Sequence, residues 1–289
     1  MEKKKSSIAA FVLLLVLVLA GTWYREHDGA RDGLELTASG IAENVRNARE
    51  GQEDVSKQLR GLEIPYLLDK ENNQIVEHMG YTLSYNEEMR IPNWVAYELL
   101  DSELYGDFDR REEFKPDPSV RGRQAYDSDY RGSGWDRGHM APSGDMKWSS
   151  QVQKECFYLT NICPQNHNLN SGVWNDLEKQ VRYEARYYKR IWVVCGPVVG
   201  RNLYGTIGDN QVVIPDGFFK ALLARRKNGD YVSIGFYFPN ESGTQALSEY
   251  AMSVDDLEDL VGMDLFYNLD DRVQDDVEAV FNPSDWKIR

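Results

Sequence analysis

The hydrophobic rhythm of the chain changes twice. Residues 6–24 carry no charge and residues 8–20 are continuously apolar, behind a flank, residues 1–5, with three lysines. That pattern predicts a membrane-directed helix over residues 1–24, either a signal anchor or a signal peptide. Val18 and Ala20 are small enough for a cleavage site, whereas Trp23 and Tyr24 suit the far interface of an uncleaved anchor; the anchor is preferred. Residues 25–62 are polar. Ile41 and Val45, then Val55, Leu59 and Leu62, recur at helical spacing and predict a helical or flexible spacer whose repeat is too broken for a coiled coil. Ile64-Pro65 ends it.

Residues 63–289 read as one domain of short apolar runs separated by turn residues. Residues 75–79 and 81–85 predict strands joined at Gly80, and residues 94–100 another after Pro92. Residues 110–130 form a charged, proline-containing loop. Residues 151–156 read as a helix, 157–160 as a strand, and 173–189 as the longest helix. Further strands are predicted over 191–199, 212–214, 218–224 and 231–238, with Asn228-Gly229 as a hairpin turn. Residues 253–261 read as a helix capped by Ser253, with Asp256 completing the cap. Strands scattered between separate helices predict an α+β domain with a mixed or antiparallel sheet core and flanking helices.

Charge sharpens this picture. The net charge is −14, from 33 basic and 47 acidic residues. Alone it argues against a polyanionic partner, because phosphate affinity comes from basic surface. Most of the excess is remote, however: residues 253–289 hold 11 acids and 3 bases, whereas residues 110–137 hold 7 bases and 6 acids. Three cysteines, Cys156, Cys163 and Cys195, have no metal-ligand spacing and read as buried free thiols; a Cys156–Cys163 bridge stays open in an oxidising compartment.

The chemistry concentrates in Trp135-Asp136-Arg137-Gly138-His139 and in the segment from Asn170 to Glu178. Histidine accepts a proton near neutral pH. Arginine holds phosphate through two donors. Gly138 lets a backbone pass close to a bulky group, reading here as a turn. Asn170, Trp174 and Glu178 are spaced by four and share a helix face, with Asn170 where the helix begins. An amide oxygen there can ligate a hard cation. Each residue also has a bland reading. A lone histidine beside an arginine is commonly structural, an asparagine at a helix start is commonly a cap, and Trp135, Trp148 and Trp174 read as packing. His78 and His167 read as structural or exposed.

Taken together, these segments resemble the DNA/RNA non-specific endonuclease family, of the ββα-metal (His-Me finger) type. The resemblance is carried by Asp129 through His139, by Phe157 through Gln165 and by Leu169 through Glu178, with weaker likeness across residues 64–285. It implies a ββα-metal active-site motif and a Mg2+-dependent, sugar-non-specific endonuclease leaving 5′-phosphate and 3′-hydroxyl ends, with Mn2+ as a substitute metal. In that scheme His139 is the general base, Asn170 the single metal ligand, Arg137 a phosphate contact and Glu178 the carboxylate near the metal's waters. Arg111 or Arg110, Arg123 and Asn161 match substrate-binding or site-positioning residues. DNA and RNA are the implied substrates, with a homodimer and a membrane as the other partners. Two other classes stay in view: an envelope protein that binds nucleic acid without cutting it, and a hydrolase of small phosphodiesters. Either membrane reading of residues 1–24 places the domain outside the cytoplasm.

Overall fold

The computed structural model describes residues 61–67, 73–108, 113–200 and 203–288. The expected N-terminal helix, nearly all of the spacer, and Arg110 and Arg111 lie outside the described residues. Among the described residues no helix is long and apolar enough to cross a membrane.

The strands are, in chain order, β1 (Tyr66–Leu67), β2 (Asn73–Glu77), β3 (Thr82–Asn86), β4 (Ile91–Leu100), β5 (Asp136–His139), β6 (Ile162–Gln165), β7 (Arg190–Val198), β8 (Thr206–Ile207), β9 (Val212–Val213), β10 (Gly217–Arg225), β11 (Tyr231–Pro239), β12 (Ala251–Met252) and β13 (Met263–Asp264). Seven of them build one sheet in the order β12-β11-β10-β7-β4-β3-β2, and every pairing in it is antiparallel. The α-helices are α1 (Asp127–Tyr130), α2 (Ser150–Glu155), α3 (His167–Ser171), α4 (Val173–Tyr188), α5 (Val254–Val261), α6 (Asp271–Glu278) and α7 (Pro283–Trp286). The α+β expectation holds, with the sheet wholly antiparallel.

Strand register assigns the two faces, because side chains alternate along a strand. Phe218, Lys220 and Leu222 of β10 pair with Phe238, Phe236 and Ile234 of β11 and look toward α4, where Trp174 packs on Phe218 and Phe238. Gly235 lies against Leu257 of α5, and Ser233 Oγ donates to Val277 O of α6, so these helices cover the opposite face. Three layers result. Phe218, Phe236 and Phe238 are fully buried; each contributes about 1.5–3 kcal/mol relative to exposure. Lys220 is also fully buried, its Nζ 4.5 Å above the Trp174 ring.

Three local expectations are corrected. Residues 157–160 are not a strand: Tyr158 makes one bridge to Lys115, and Leu159–Asn161 is a 3-10 turn before β6 begins at Ile162. A short apolar run does not distinguish a buried turn from a strand. Asp136–His139 is a strand, not a turn, paired residue for residue with β6. Asn170 does not open the long helix. It sits within α3, capped by Asn166, and Gly172 breaks the chain before α4.

Residues 140–146 run across the α4 face of the sheet and are fixed from below. Cys195 Sγ donates to Met140 O at 3.2 Å. Tyr97 Oη donates to Asp145 Oδ2 at 2.9 Å, and Arg182 Nη1 of α4 donates to Asp145 Oδ1 at 2.6 Å. Burial opposes the charge on Arg182, but Asp145 holds it protonated.

Glu184 of α4 is buried, with Oε1 accepting from Gln180. Burial pushes its carboxyl from 4.5 up to about 7, against the Gln180 bond and the Lys287 charge. The folded state therefore keeps a proton that the unfolded chain releases. Stability should fall as pH rises from about 4.5 to about 7 and stay lowered above it. Glu184→Gln is expected to remove this slope and to raise stability above pH 7 by about 2 kcal/mol, measured by urea unfolding across pH.

Disrupting Asp145 should act in the opposite sense. Asp145→Ala strands Arg182 and is expected to cost about 3 kcal/mol in the same measurement.

Candidate active site

A four-residue polar strand has no hydrophobic reason to form, so β5 depends on its neighbours. Its partner β6 is buried throughout. Gly138 is required there because a Cβ would collide with the Gln165 side chain. At the far end, Trp174 Nε1 donates to His139 O at 3.3 Å, tying the strand to α4. Asn161 then clamps the residues that follow: its Oδ1 accepts from Ala141 N at 2.9 Å, and its Nδ2 donates to Ala141 O and Cys156 O.

Alternation along β5 sends Arg137 and His139 to one face. There the His139 ring, only 7 % exposed, packs against Phe114 and Phe157 at 5.5 and 5.0 Å between centroids. The Arg137 guanidinium lies 5.5 Å from both the Phe114 and Tyr130 rings. Its Nε is 2.7 Å from Asp127 Oδ1, and Nη2 donates to Asp127 O. The guanidinium is thus oriented along one edge by Asp127.

Asp136, at the head of β5, reaches α3. Its Oδ2 accepts from Asn170 Nδ2 at 2.9 Å and lies 2.9 Å from His167 Nδ1. With its NH2 group committed, the Asn170 amide turns its oxygen away from Asp136. A lone hard oxygen beside a carboxylate suits Mg2+, which keeps most of its waters. The donor set therefore fits the implied metal.

A family model described as DNA/RNA non-specific endonuclease matches residues 65–272. The chain belongs to this family. It is similar to the human mitochondrial nuclease EXOG, 40% identical over 209 residues, covering 67% of this chain and 57% of EXOG. The chain thus spans less than three fifths of that relative's length. Human mitochondrial endonuclease G is 34% identical over 203 residues, with 66% and 68% of the two chains covered. A nuclease from Nostoc is 31% identical over 228 residues, with 74% and 81% covered. Among solved structures, a chain from the EndoG/EndoGI complex superposes with a TM-score of 0.64 at 28% identity, covering 68% of this chain and 87% of that one.

Within the family frame, the expected site residues separate into groups. Arg137, His139 and, through Asp136, Asn170 gather around β5. Glu178 lies one turn beyond Trp174 on α4, half-buried, and its charge acts on Arg182 and Tyr97. Arg123 sits elsewhere. Its backbone N donates to Glu87 Oε1, its side chain is 63% exposed, and none of its described contacts is with β5 or α3. Asn161 is fully buried, and its side chain bonds to the backbone of Ala141 and Cys156. His78 is structural, 2.9 Å from buried Asp117. His167 is exposed yet joined to the site through Asp136.

Asp127, Phe114 and Asp136 went unassigned in the sequence. Asp136 lies in the motif itself, but nothing in its spacing to Asn170 announces the bond. Asp127 and Phe114 reach the site only through the fold.

A positioning role for Asn161 has its own signature. Asn161→Asp keeps the size but sets a carboxylate against two carbonyls, and is expected to cost about 2–3 kcal/mol in denaturant unfolding. A substrate contact would instead raise KM and leave the unfolding midpoint in place.

Proposed function

We propose that this chain is a metal-dependent, sugar-non-specific endonuclease that hydrolyses DNA and RNA to 5′-phosphate and 3′-hydroxyl ends. The observation that carries this reading is β5. One four-residue strand holds an imidazole and a guanidinium on one side, and at its head a carboxylate that orients the Asn170 amide. The β5–β6 ribbon followed by α3 and α4 serves as the ββα-metal motif.

The phosphodiester needs an activated water in line with the leaving oxygen and relief of charge on the phosphate. His139, neutral, takes the proton from that water. Packing against Phe114 and Phe157 limits the rotation of its ring and keeps bulk water off one side. Arg137, braced by Asp127, donates to the non-bridging oxygens. Asn170 would hold Mg2+, with Mn2+ as a substitute, and the ion when bound neutralises developing charge at the phosphate and the leaving oxygen. Glu178 would accept hydrogen bonds from the waters that such an ion keeps. The family resemblance assigns a second cationic contact to Arg111 or Arg110. These contacts address backbone, not base edges, so little sequence preference follows.

A plasmid-nicking assay in Mg2+ tests the reading. His139→Ala and Asn170→Ala are each expected to lower the rate at least 100-fold, about 2.7 kcal/mol or more; nicking that survives both substitutions overturns the mechanism. Asp136→Ala should raise the Mg2+ concentration for half-maximal rate about 10- to 100-fold, as loss of a ligand-orienting partner does.

The N-terminal pattern supports an extracytoplasmic setting, with residues 1–24 as an anchor. Fractionation of cells expressing the full chain should find it in the membrane with an intact N-terminus, read by terminal sequencing. A soluble form beginning after Ala20 would replace the anchor with a cleaved signal.

A further inference from the structure

Beyond the active site, the acidic end of the chain holds a second constellation. Asp255 and Glu258 lie three apart on α5 and share a face, and Glu278 is the last residue of α6. Each offers a carboxylate oxygen, and these oxygens lie within 4.8 Å of one another. Among the described residues, no lysine, arginine or histidine pairs with any of the three.

Proximity of acids alone is common on surfaces. Glu278 distinguishes this group. It is only 4 % exposed, and its Oε1 is buried without a hydrogen-bond donor. Burying a carboxylate oxygen with neither donor nor counter-charge is costly. Its neighbours make matters worse, since residues 253–289 carry 11 acids against 3 bases. A buried carboxylate oxygen with no donor calls for a positive partner, either a proton or a cation.

We propose that Asp255, Glu258 and Glu278 form a binding site for a hard divalent cation, Ca2+ in preference to Mg2+. The donors are all oxygens, which excludes soft metals. Ca2+ takes several carboxylate oxygens in irregular geometry, whereas Mg2+ gives up its waters reluctantly and seldom occupies a site built from protein oxygens alone. Glu258 Oε1 already accepts from Leu265 N at 2.6 Å, which fixes that carboxylate and leaves its second oxygen available. Asp255 is exposed and provides the entrance, while Glu278 closes the base. The cation would join α5 to α6, both of which pack on β11, so its effect is on stability and not on hydrolysis. The proposal stands independently of the nuclease mechanism.

Calorimetric titration and thermal unfolding of the chelator-treated full-length protein test it. Both use the Asn170→Ala background, so that the active-site ligand is absent. Saturable binding of one Ca2+ per chain is expected, with the Tm raised by roughly 5–10 °C at a hundredfold excess over Kd. Asp255→Asn and Glu258→Gln should each weaken binding at least tenfold while the metal-free proteins unfold cooperatively. Glu278→Gln removes a ligand and a buried charge together, so it should raise the metal-free Tm and abolish the Ca2+ response. Absence of saturable Ca2+ binding would leave a carboxyl proton as the partner and overturn the proposal. So would a Ca2+ response that persists in the folded Asp255→Asn and Glu278→Gln proteins.

Discussion

The site depends on buried donors and acceptors that satisfy a stretch of backbone with no hydrophobic claim of its own. Residues 136–146 are held in sequence by Asp136 at the head, Trp174 at His139 O, Cys195 at Met140 O, Asn161 at Ala141, and Tyr97 with Arg182 at Asp145. The anchors come from five elements: β4, β7, the turn before β6, α3, and α4, which supplies two. Leaving such groups unpaired in the interior would cost about 1–3 kcal/mol apiece. The polar strand and the packed core thus specify one another, and His139 inherits its orientation from the whole assembly.

This interdependence explains what was legible beforehand. The long central strands and α4 announce themselves through continuous or 3.6-periodic apolar positions, and the Ser253–Asp256 cap is written in two residues and confirmed by the Ser253 Oγ to Asp256 N bond. His139, Arg137 and Asn170 stand out in the sequence as side chains, and the fold gathers these three around β5. What was hidden depends on contacts between distant segments. The β5 strand carries no periodicity because its stability comes from β6. The placement of Asn170 on its own short helix turns on Gly172, whose backbone (φ −101°, ψ −118°) interrupts a run that otherwise reads as continuous. The partners of Asn161, the backbone of Ala141 and Cys156, appear only once the chain is folded.

The charge distribution acquires a physical meaning from the layers. Beside β5 the two oxygens of one carboxylate, Asp127, brace two arginines, Arg131 and Arg137. Such pairing orients them and lowers the local net charge. The acidic surplus instead collects on α5 and α6, across the sheet from α4. Like charges gathered away from the site leave its arginines less opposed, and the two faces of the sheet do different electrostatic work.

The three cysteines lie fully buried and unbridged, two of them within the layer that supports the site. Burial pushes the thiols of Cys163 and Cys195 upward, so the nucleophilic thiolate is scarce. The described fold asks nothing of the redox state around it. A domain built this way can mature beside glutathione or in an oxidising milieu with the same covalent structure, and its active site has no thiol to lose to peroxide on the way.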